Sequence, residues 1–227
     1  MVNVEKEDVR FVTPDHFNVT GDFYFNLSAK ETRQPCVVLV HCFRRDKDQW
    51  GTFPHDLVER GFKVLAYNMR GHGSSDKVRD ITSLLSDPHQ APFDFDGALR
   101  WLERQPGIDS LRVGAVGTSI GGAVACEANA IYGERLKAAV AISPSLRGTL
   151  DFLGHEPGDH RMHSVLYIAA DGDGTHAHDA EELASKHTDA PKDVILYHDV
   201  SYHGIDLFEK ESEIRHLAVE WLEDNLR

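Results

Sequence analysis

The chain has 227 residues, 41% of them hydrophobic and 27% charged, so we expect a sizeable core rather than wholesale disorder. Its formal net charge of −13 argues against a nucleic-acid partner and against binding to an anionic membrane surface. No apolar run approaches a membrane span, and the first residues lack the order of a secretory signal. Three cysteines without metal-ligand spacing favour a reducing, cytoplasmic location. No linker-like stretch divides the chain, which predicts a single domain over residues 1–227.

The first part of the chain predicts a hairpin followed by two buried strands. Residues 9–27 alternate apolar and polar side chains around a Pro-Asp-His turn, a pattern typical of an antiparallel hairpin. Residues 36–41 and 62–67 are continuous apolar runs, as expected of strands that are buried on both faces. Between them, an amphipathic segment over residues 53–60 predicts a helix that ends at Gly61.

The rest of the chain alternates between helices and strands. We predict first a helix that follows residue 92 and stops at Pro106-Gly107, and then a strand from residue 111 that leads into a helix closing near Gly133. After these come a strand over 136–142, a loop over 145–163, a strand over 165–170, a helix over 177–186, a strand over 194–198 and a terminal helix over 211–226. This alternation predicts an α/β fold with a mostly parallel central sheet, helices on both faces and an N-terminal antiparallel hairpin.

The segment Gly117-Thr118-Ser119-Ile120-Gly121 joins a predicted strand directly to a predicted helix. A turn this tight holds its central residue in a strained backbone conformation, and β-carbons at the two glycines would collide with neighbouring backbone. The Ser119 hydroxyl is therefore expected at the carboxyl edge of the sheet, where the helix N-terminus favours negative charge. This is the arrangement of a nucleophile elbow.

A serine hydroxyl is a poor nucleophile at neutral pH unless an imidazole accepts its proton. We predict that His203 is this base, because it follows the last predicted strand and precedes the terminal helix. Ligands of such sheets bind at the carboxyl ends of the strands, which places His203 on the same edge as Ser119. Gly204 leaves room for the imidazole, whereas His198 lies within the strand pattern.

The imidazole in turn needs a carboxylate that fixes its tautomer. Asp171 and Asp173 both follow the strand over 165–170, and we favour Asp173 because it lies further into the loop. Asp171 is the second choice, although either carboxylate could instead cap the next helix. Asp151, after the preceding strand, is the third.

A tetrahedral intermediate also needs hydrogen-bond donors for its oxyanion. We expect one from the backbone N–H of Ile120, next to the nucleophile. The other is expected from the backbone N–H of Phe43, in the loop after the first buried strand. These two assignments depend on topology, since backbone donors leave no mark in the sequence.

Several histidines raise the question of a metal site. His176 and His178 are two residues apart in a predicted polar loop, and His155, His160 and His163 are scattered upstream. Such spacing, with no cysteine or third ligand nearby, favours solvated polar residues over metal ligands. We therefore expect no metal and no cofactor.

Together these motifs resemble the α/β-hydrolase superfamily over nearly the whole chain. The matching segments are 37–41, 67–75, 117–121, 170–173 and 202–204. The hairpin and the Arg-Gly-His-Gly-Ser segment are most similar to the small serine esterase and dienelactone-hydrolase-like branch. The resemblance implies a catalytic role for Ser119, Asp173 and His203, and a structural role for His72.

Two features depart from the patterns of this superfamily. Cys42 stands where many members have glycine, so its side chain could narrow the oxyanion loop. The elbow holds serine, whereas dienelactone hydrolases proper use cysteine, so their activity is not implied. About twenty residues separate the strands that would flank a cap, which predicts an open, shallow site without a large lid. Phe43, Trp50 and Ile120 could line it or could pack in the core.

We therefore expect a serine hydrolase that cleaves small carboxylic esters through an acyl-enzyme, with water as the second substrate. Because the same triad serves other acyl transfers, a thioesterase or a small-amide hydrolase is the alternative. A ligand-sensing protein with this fold and little turnover is a possibility from another functional class. The presence of serine, acid and histidine in order disfavours a catalytically inactive relative.

Overall fold

The fold is built on one mixed sheet. A computed structural model describes residues 2–154 and 160–226 of the chain. Within these ranges eight strands form the sheet. They are β1 (Val4–Val12), β2 (Asn18–Asn26), β3 (Gln34–Val40), β4 (Lys63–Asn68), β5 (Ile108–Thr118), β6 (Leu136–Ile142), β7 (Met162–Ala170) and β8 (Thr188–Tyr197).

The strand order across the sheet is β1-β2-β4-β3-β5-β6-β7-β8. The pairs β1–β2 and β2–β4 are antiparallel, and the remaining pairs are parallel. Val40 pairs with Gly117 and Thr118 pairs with Ile142, so β3, β5 and β6 end at the same edge. The predicted fold class, a mostly parallel sheet with an N-terminal hairpin, is confirmed.

Seven helices within the described ranges connect and flank the strands. They are α1 (Phe53–Glu59), α2 (Ala91–Leu102), α3 (Ile120–Ile131), α4 (Leu146–Leu153), α5 (His176–Glu182), α6 (Ile205–Lys210) and α7 (Glu213–Leu226). None of these helices is long and apolar enough to cross a bilayer.

The sheet separates two hydrophobic cores. Successive residues of a strand point to opposite faces, and in β3 Val38 packs into one core while Leu39 packs into the other. The first core is completed by α2, α3, α4 and α5, and the second by α1, α6 and α7. Helices therefore cover both faces, as the buried strand runs predicted.

The region between β6 and β7 differs from the sequence-based prediction, which gave a loop over 145–163. It contains α4, whose first turn is capped by the Ser145 hydroxyl, an acceptor for the Gly148 N–H at 3.2 Å. Phe152 is fully buried and attaches the helix to the first core. Leu146, Leu150 and Leu153 have helical spacing, so the loop prediction was wrong because this pattern, interrupted by Gly148, was overlooked in so short a segment.

The C-terminal part differs from the prediction in two further ways. A separate short helix, α6, precedes the terminal helix, which begins at Glu213 rather than at residue 211. Strand β8 begins at Thr188 rather than at residue 194, and its residues 189–193 are exposed. An exposed edge strand needs no apolar run, so the hydrophobic pattern does not detect its first half.

Candidate active site

Ser119 lies in the predicted elbow between β5 and α3. Its backbone has φ 57° and ψ −120°, a conformation that a residue with a β-carbon rarely adopts. A β-carbon on Gly117 would collide with the backbone carbonyl of Gly121, and one on Gly121 would collide with that of Val40. The two glycines therefore allow α3 to start directly above the neighbouring strand, with Ser119 at the sheet edge.

A continuous chain of hydrogen bonds links three side chains from three different loops. The Ser119 hydroxyl lies 2.8 Å from Nε2 of His203, and Nδ1 of His203 lies 2.7 Å from Oδ2 of Asp173. Since an ionised carboxylate only accepts hydrogen bonds, Nδ1 carries the proton and Nε2 accepts from the hydroxyl. The side chain of His203 is 40% exposed and that of Asp173 is 12% exposed, so solvent reaches the imidazole.

The other two candidate acids have other partners, although Asp151 lines the cavity that contains Ser119. Asp171 forms a 3.1 Å contact with Nδ1 of His198 at the protein surface, and this hydrogen bond lowers the pKa of Asp171. Asp151 lies in α4, 3.6 Å from the Arg147 guanidinium. Of the three carboxylates, Asp173 is therefore the one that meets His203.

The two predicted oxyanion donors lie in different parts of the chain. Ile120 is the first residue of α3 and Phe43 lies in the loop after β3. Within residues 2–154 and 160–226, neither backbone N–H donates a hydrogen bond to a protein atom. Because polar groups of a folded chain are normally paired, the open N–H of Ile120, next to Ser119, is available to a developing negative charge, and the assignment of Phe43 stays a prediction.

The loop that carries Phe43 is held by buried side chains. The Arg44 N–H donates to Nε2 of His72 at 3.0 Å, and the Cys42 N–H donates to the side-chain oxygen of Gln49 at 3.1 Å. The Cys42 thiol contacts the Thr118 hydroxyl at 3.0 Å and packs within the second core. Burial raises the pKa of this thiol, so it stays a neutral packing group.

A cavity of about 450 Å³ opens beside the nucleophile. Its apolar wall consists of Leu85, Ile120, Ala123 and Phe152, and its rim is polar. The volume falls within the range of about 300–1,000 Å³ that is usual for small-molecule sites. Of the three expected wall residues, Ile120 is therefore in place.

The other two expected wall residues pack elsewhere. Phe43 contacts the ring of His72, with 5.9 Å between the ring centroids. Trp50 is 1% exposed and packs against Phe53 and Phe208. Of the two alternatives for Trp50, core packing is therefore the one observed, because its large ring lies in the second core.

His176 also lies at this site, which the sequence did not indicate. Its ring centroid is 4.6 Å from that of His203, and its Nδ1 lies 3.0 Å from the Pro144 carbonyl oxygen. The expectation that His176 is a solvated loop residue was wrong, because α5 begins at His176 and presents it to the triad. His178 turns away to Glu182, 3.4 Å distant, and His155 lies outside the described residues.

One group of possible metal ligands occurs within the described ranges. It consists of Asp173, His176 and His203, each offering one ligand atom, and these atoms lie within 4.8 Å of one another. It combines two imidazoles with one carboxylate.

Residues 35–185 match the model of the alpha/beta hydrolase fold family. The chain belongs to this family. Thiohydrolase aneE of Aspergillus aculeatus is 28% identical over 152 residues, which are 65% of this chain and 45% of that protein. The chain thus spans about half the length of this curated relative.

Solved structures show the same hydrolase fold at full length. The dienelactone hydrolase from Anabaena variabilis has a TM-score of 0.75 at 19% identity, covering 99% of both chains. An esterase from Pyrococcus furiosus has a TM-score of 0.74 at 18% identity, covering 98% of this chain and 94% of that one. At such identities the likeness establishes the fold.

Besides His176, sequence reasoning missed a serine that supports the loop carrying His203. Ser143 ends β6 with φ 48°, and its buried hydroxyl accepts the Gly204 N–H at 3.0 Å. A β-carbon on Gly204 would come within 2.8 Å of the Cys42 sulfur, so the glycine lets the His203 loop lie close to the elbow. The sequence offers no sign of this contact beyond the Ser-Pro-Ser segment at 143–145, which is typical of the end of a strand.

Proposed function

We propose that the chain is a serine hydrolase that cleaves carboxylic esters of small substrates through an acyl-enzyme. The observation that carries this proposal is the unbroken line of hydrogen bonds from Ser119 to His203 to Asp173, at 2.8 and 2.7 Å. This line starts at a serine in a strained conformation beside an apolar cavity. Strain of this kind, retained at a cavity, is characteristic of functional sites.

In the first half of the reaction, Ser119 Oγ attacks the ester carbonyl while Nε2 of His203 takes the hydroxyl proton. Asp173 holds the imidazole in the required tautomer and stabilises the cation. The N–H groups of Phe43 and Ile120 stabilise the oxyanion. The C–O bond of the ester then breaks, and His203 gives its proton to the departing alcohol.

In the second half, water replaces the alcohol. His203 takes a proton from the water as it attacks the acyl-enzyme, and the collapse of the second tetrahedral intermediate returns that proton to Ser119 Oγ. The products are a carboxylic acid and the regenerated serine. No cofactor enters this sequence of steps.

The cavity favours a small or medium-sized apolar acyl group. Leu85, Ile120, Ala123 and Phe152 surround the space next to Ser119 with hydrocarbon. The polar rim includes Ser145. Apolar lining with a few polar groups is usual for sites that bind small molecules.

The test is hydrolysis of p-nitrophenyl butyrate by the unchanged protein and by Ser119→Ala. We expect the substitution to lower kcat by at least about 10³-fold. Circular dichroism and urea unfolding should show that both proteins remain folded. Equal rates for the two folded proteins would contradict the proposal.

Thioester hydrolysis is the second candidate, favoured by the name of the aneE relative, a thiohydrolase. The same groups would attack a thioester, and a thiol would leave in place of the alcohol. Comparing kcat/KM for butyryl esters and butyryl thioesters of matched size separates the two. Tight binding of both without turnover would instead favour a ligand-sensing role.

A further inference from the structure

His176 is fixed beside the triad although the proposed reaction does not use it. Its Nδ1 lies 3.0 Å from the Pro144 carbonyl oxygen. A carbonyl oxygen only accepts, so Nδ1 carries the proton in neutral His176 and Nε2 keeps its lone pair. The ring is held 4.6 Å from that of His203, which brings a second metal-binding nitrogen to the site.

The resulting ligand set suits a transition metal. One ligand atom each of Asp173, His176 and His203 lies within 4.8 Å of the other two. Two imidazole nitrogens and a carboxylate oxygen are ligands that Zn²⁺ and similar ions accept. Bonds of about 2.0–2.1 Å in a tetrahedral zinc site place ligand atoms about 3.3 Å apart, so the side chains must close by up to about 1.5 Å.

The surroundings of His176 resemble the support that metal-bound histidines usually have. Such histidines donate their second ring N–H to a carbonyl or carboxylate, which fixes the tautomer and the ring orientation. The Pro144 carbonyl already occupies that position for His176. His178, two residues further on, contacts Glu182 and takes no part in the group.

We propose that Zn²⁺ or a similar transition-metal ion binds Asp173, His176 and His203 and reversibly blocks hydrolysis. The metal is an inhibitor here and not a cofactor. The binding site stands on geometry alone, whereas the blocking effect rests on the proposed function.

Metal binding and the proposed catalysis exclude each other because both need His203. Its Nε2 accepts from Ser119 and its Nδ1 donates to Asp173. A metal on Nε2 takes the lone pair that should receive the serine proton. A metal on Nδ1 displaces the hydrogen bond that holds the tautomer, so either mode removes the base.

The test has a binding arm and an inhibition arm, applied to the unchanged protein, His176→Ala and the matched control His178→Ala. In the binding arm, Co²⁺ is added to the metal-free protein and the visible absorption of the bound ion is followed. We expect the unchanged protein and His178→Ala to bind alike. His176→Ala should need about 10–100-fold more Co²⁺ to reach half-saturation, a loss of the size that follows removal of a group that supports a metal ligand.

In the inhibition arm, Zn²⁺ is titrated against ester hydrolysis, and each protein is compared with its own rate in EDTA. We expect Zn²⁺ to inhibit, EDTA to restore the rate, and His176→Ala to shift the inhibiting concentration upward by about the same factor. Mg²⁺ should have no effect, because it prefers oxygen ligands.

Equal Co²⁺ binding by His176→Ala and the unchanged protein would overturn the site. Stimulation of hydrolysis by Zn²⁺ would overturn its inhibitory role. If the protein hydrolyses no ester, the proposed function fails, and the binding arm still decides whether the metal site exists.

Discussion

Two pairs of contacting histidine rings in this molecule differ in what their nitrogens bind. The inner pair is His41 and His72, with ring centroids 4.9 Å apart, and the outer pair is His176 and His203, 4.6 Å apart. Both inner rings are at least 94% buried, and each of their nitrogens meets a backbone group. These groups are the carbonyls of Cys42 and Arg70 and the N–H groups of Met69 and Arg44.

In the outer pair, by contrast, His203 is satisfied by the side chains of Ser119 and Asp173. His176 uses one nitrogen on the Pro144 carbonyl. Burial lowers the pKa of His41 to about 3 and also lowers that of His72, so both inner rings stay neutral. His41 and His72 thus hold loops in place through hydrogen bonds to backbone groups. His203 forms its hydrogen bonds with side chains, and such a histidine can exchange a proton with them.

In the outer pair, replacing the carboxylate that contacts His203 should have the largest effect on activity. Asp173→Asn removes the carboxylate that fixes the His203 tautomer, and we expect kcat to fall by about 10⁴-fold. Asp171→Asn is the matched control, because Asp171 follows the same strand but contacts His198 instead. Ester hydrolysis measures both variants.

Asp171→Asn should retain at least about half of the activity. A large loss in Asp171→Asn with little loss in Asp173→Asn would reverse the assignment of the acid.

Replacing an inner histidine should affect stability instead. His41→Ala leaves the Met69 N–H and the Cys42 carbonyl without their partner and creates a cavity. We expect the free energy of unfolding to fall by about 3 kcal/mol, measured by urea denaturation. No loss of stability would show that this histidine does not support the loop.

The inner pair also predicts how stability depends on pH. The pKa of His41 is about 3 in the folded protein and about 6.5 in an unfolded chain, so the unfolded state binds more protons between these values. The free energy of unfolding should therefore fall as the pH drops below about 6.5, by about 1.4 kcal/mol per pH unit from this group.

Urea denaturation at pH 7.5 and at pH 5.0 measures this dependence. The His41→Ala variant should lose less stability between the two pH values than the unchanged protein, by about 2 kcal/mol. The same pH dependence in both proteins would contradict the neutral, buried state of His41.

The smallest expected effect concerns the cavity beside the outer pair. Leu85 is 43% exposed on the cavity wall, so Leu85→Ala should lower kcat/KM for an octanoate ester by about fivefold. The acetate ester, which does not reach this wall, should be hydrolysed as before. Leu27→Ala is the matched control, because Leu27 is 51% exposed and does not line the cavity. It should change neither rate.

The sequence could predict features that depend on chain order. The elbow at Ser119 followed from two glycines between a strand and a helix, and His203 followed from its place after the last strand. Asp173 was preferred over Asp171 because it lies further into the loop, and the structure brings Asp173 to the imidazole. Each of these inferences depends only on the order of strands and helices along the chain and on the sheet edge at which the strands end.

Features that depend on side-chain direction could not be predicted in this way. For Trp50 the sequence leaves a cavity wall and the core as alternatives, and the structure packs its ring against Phe53 and Phe208. The start of α5 is predicted to within one residue, but the sequence does not reveal that this helix end faces His203 and the Pro144 carbonyl.

Chemical labelling of the nucleophile tests the central claim most directly. The folded protein is treated with a fluorophosphonate probe, and the modified residue is mapped by mass spectrometry. We predict a single adduct on Ser119, formed by the unchanged protein and absent after Ser119→Ala or His203→Gln. An adduct on another residue, or ester hydrolysis that persists with Ser119 unlabelled, would contradict the account.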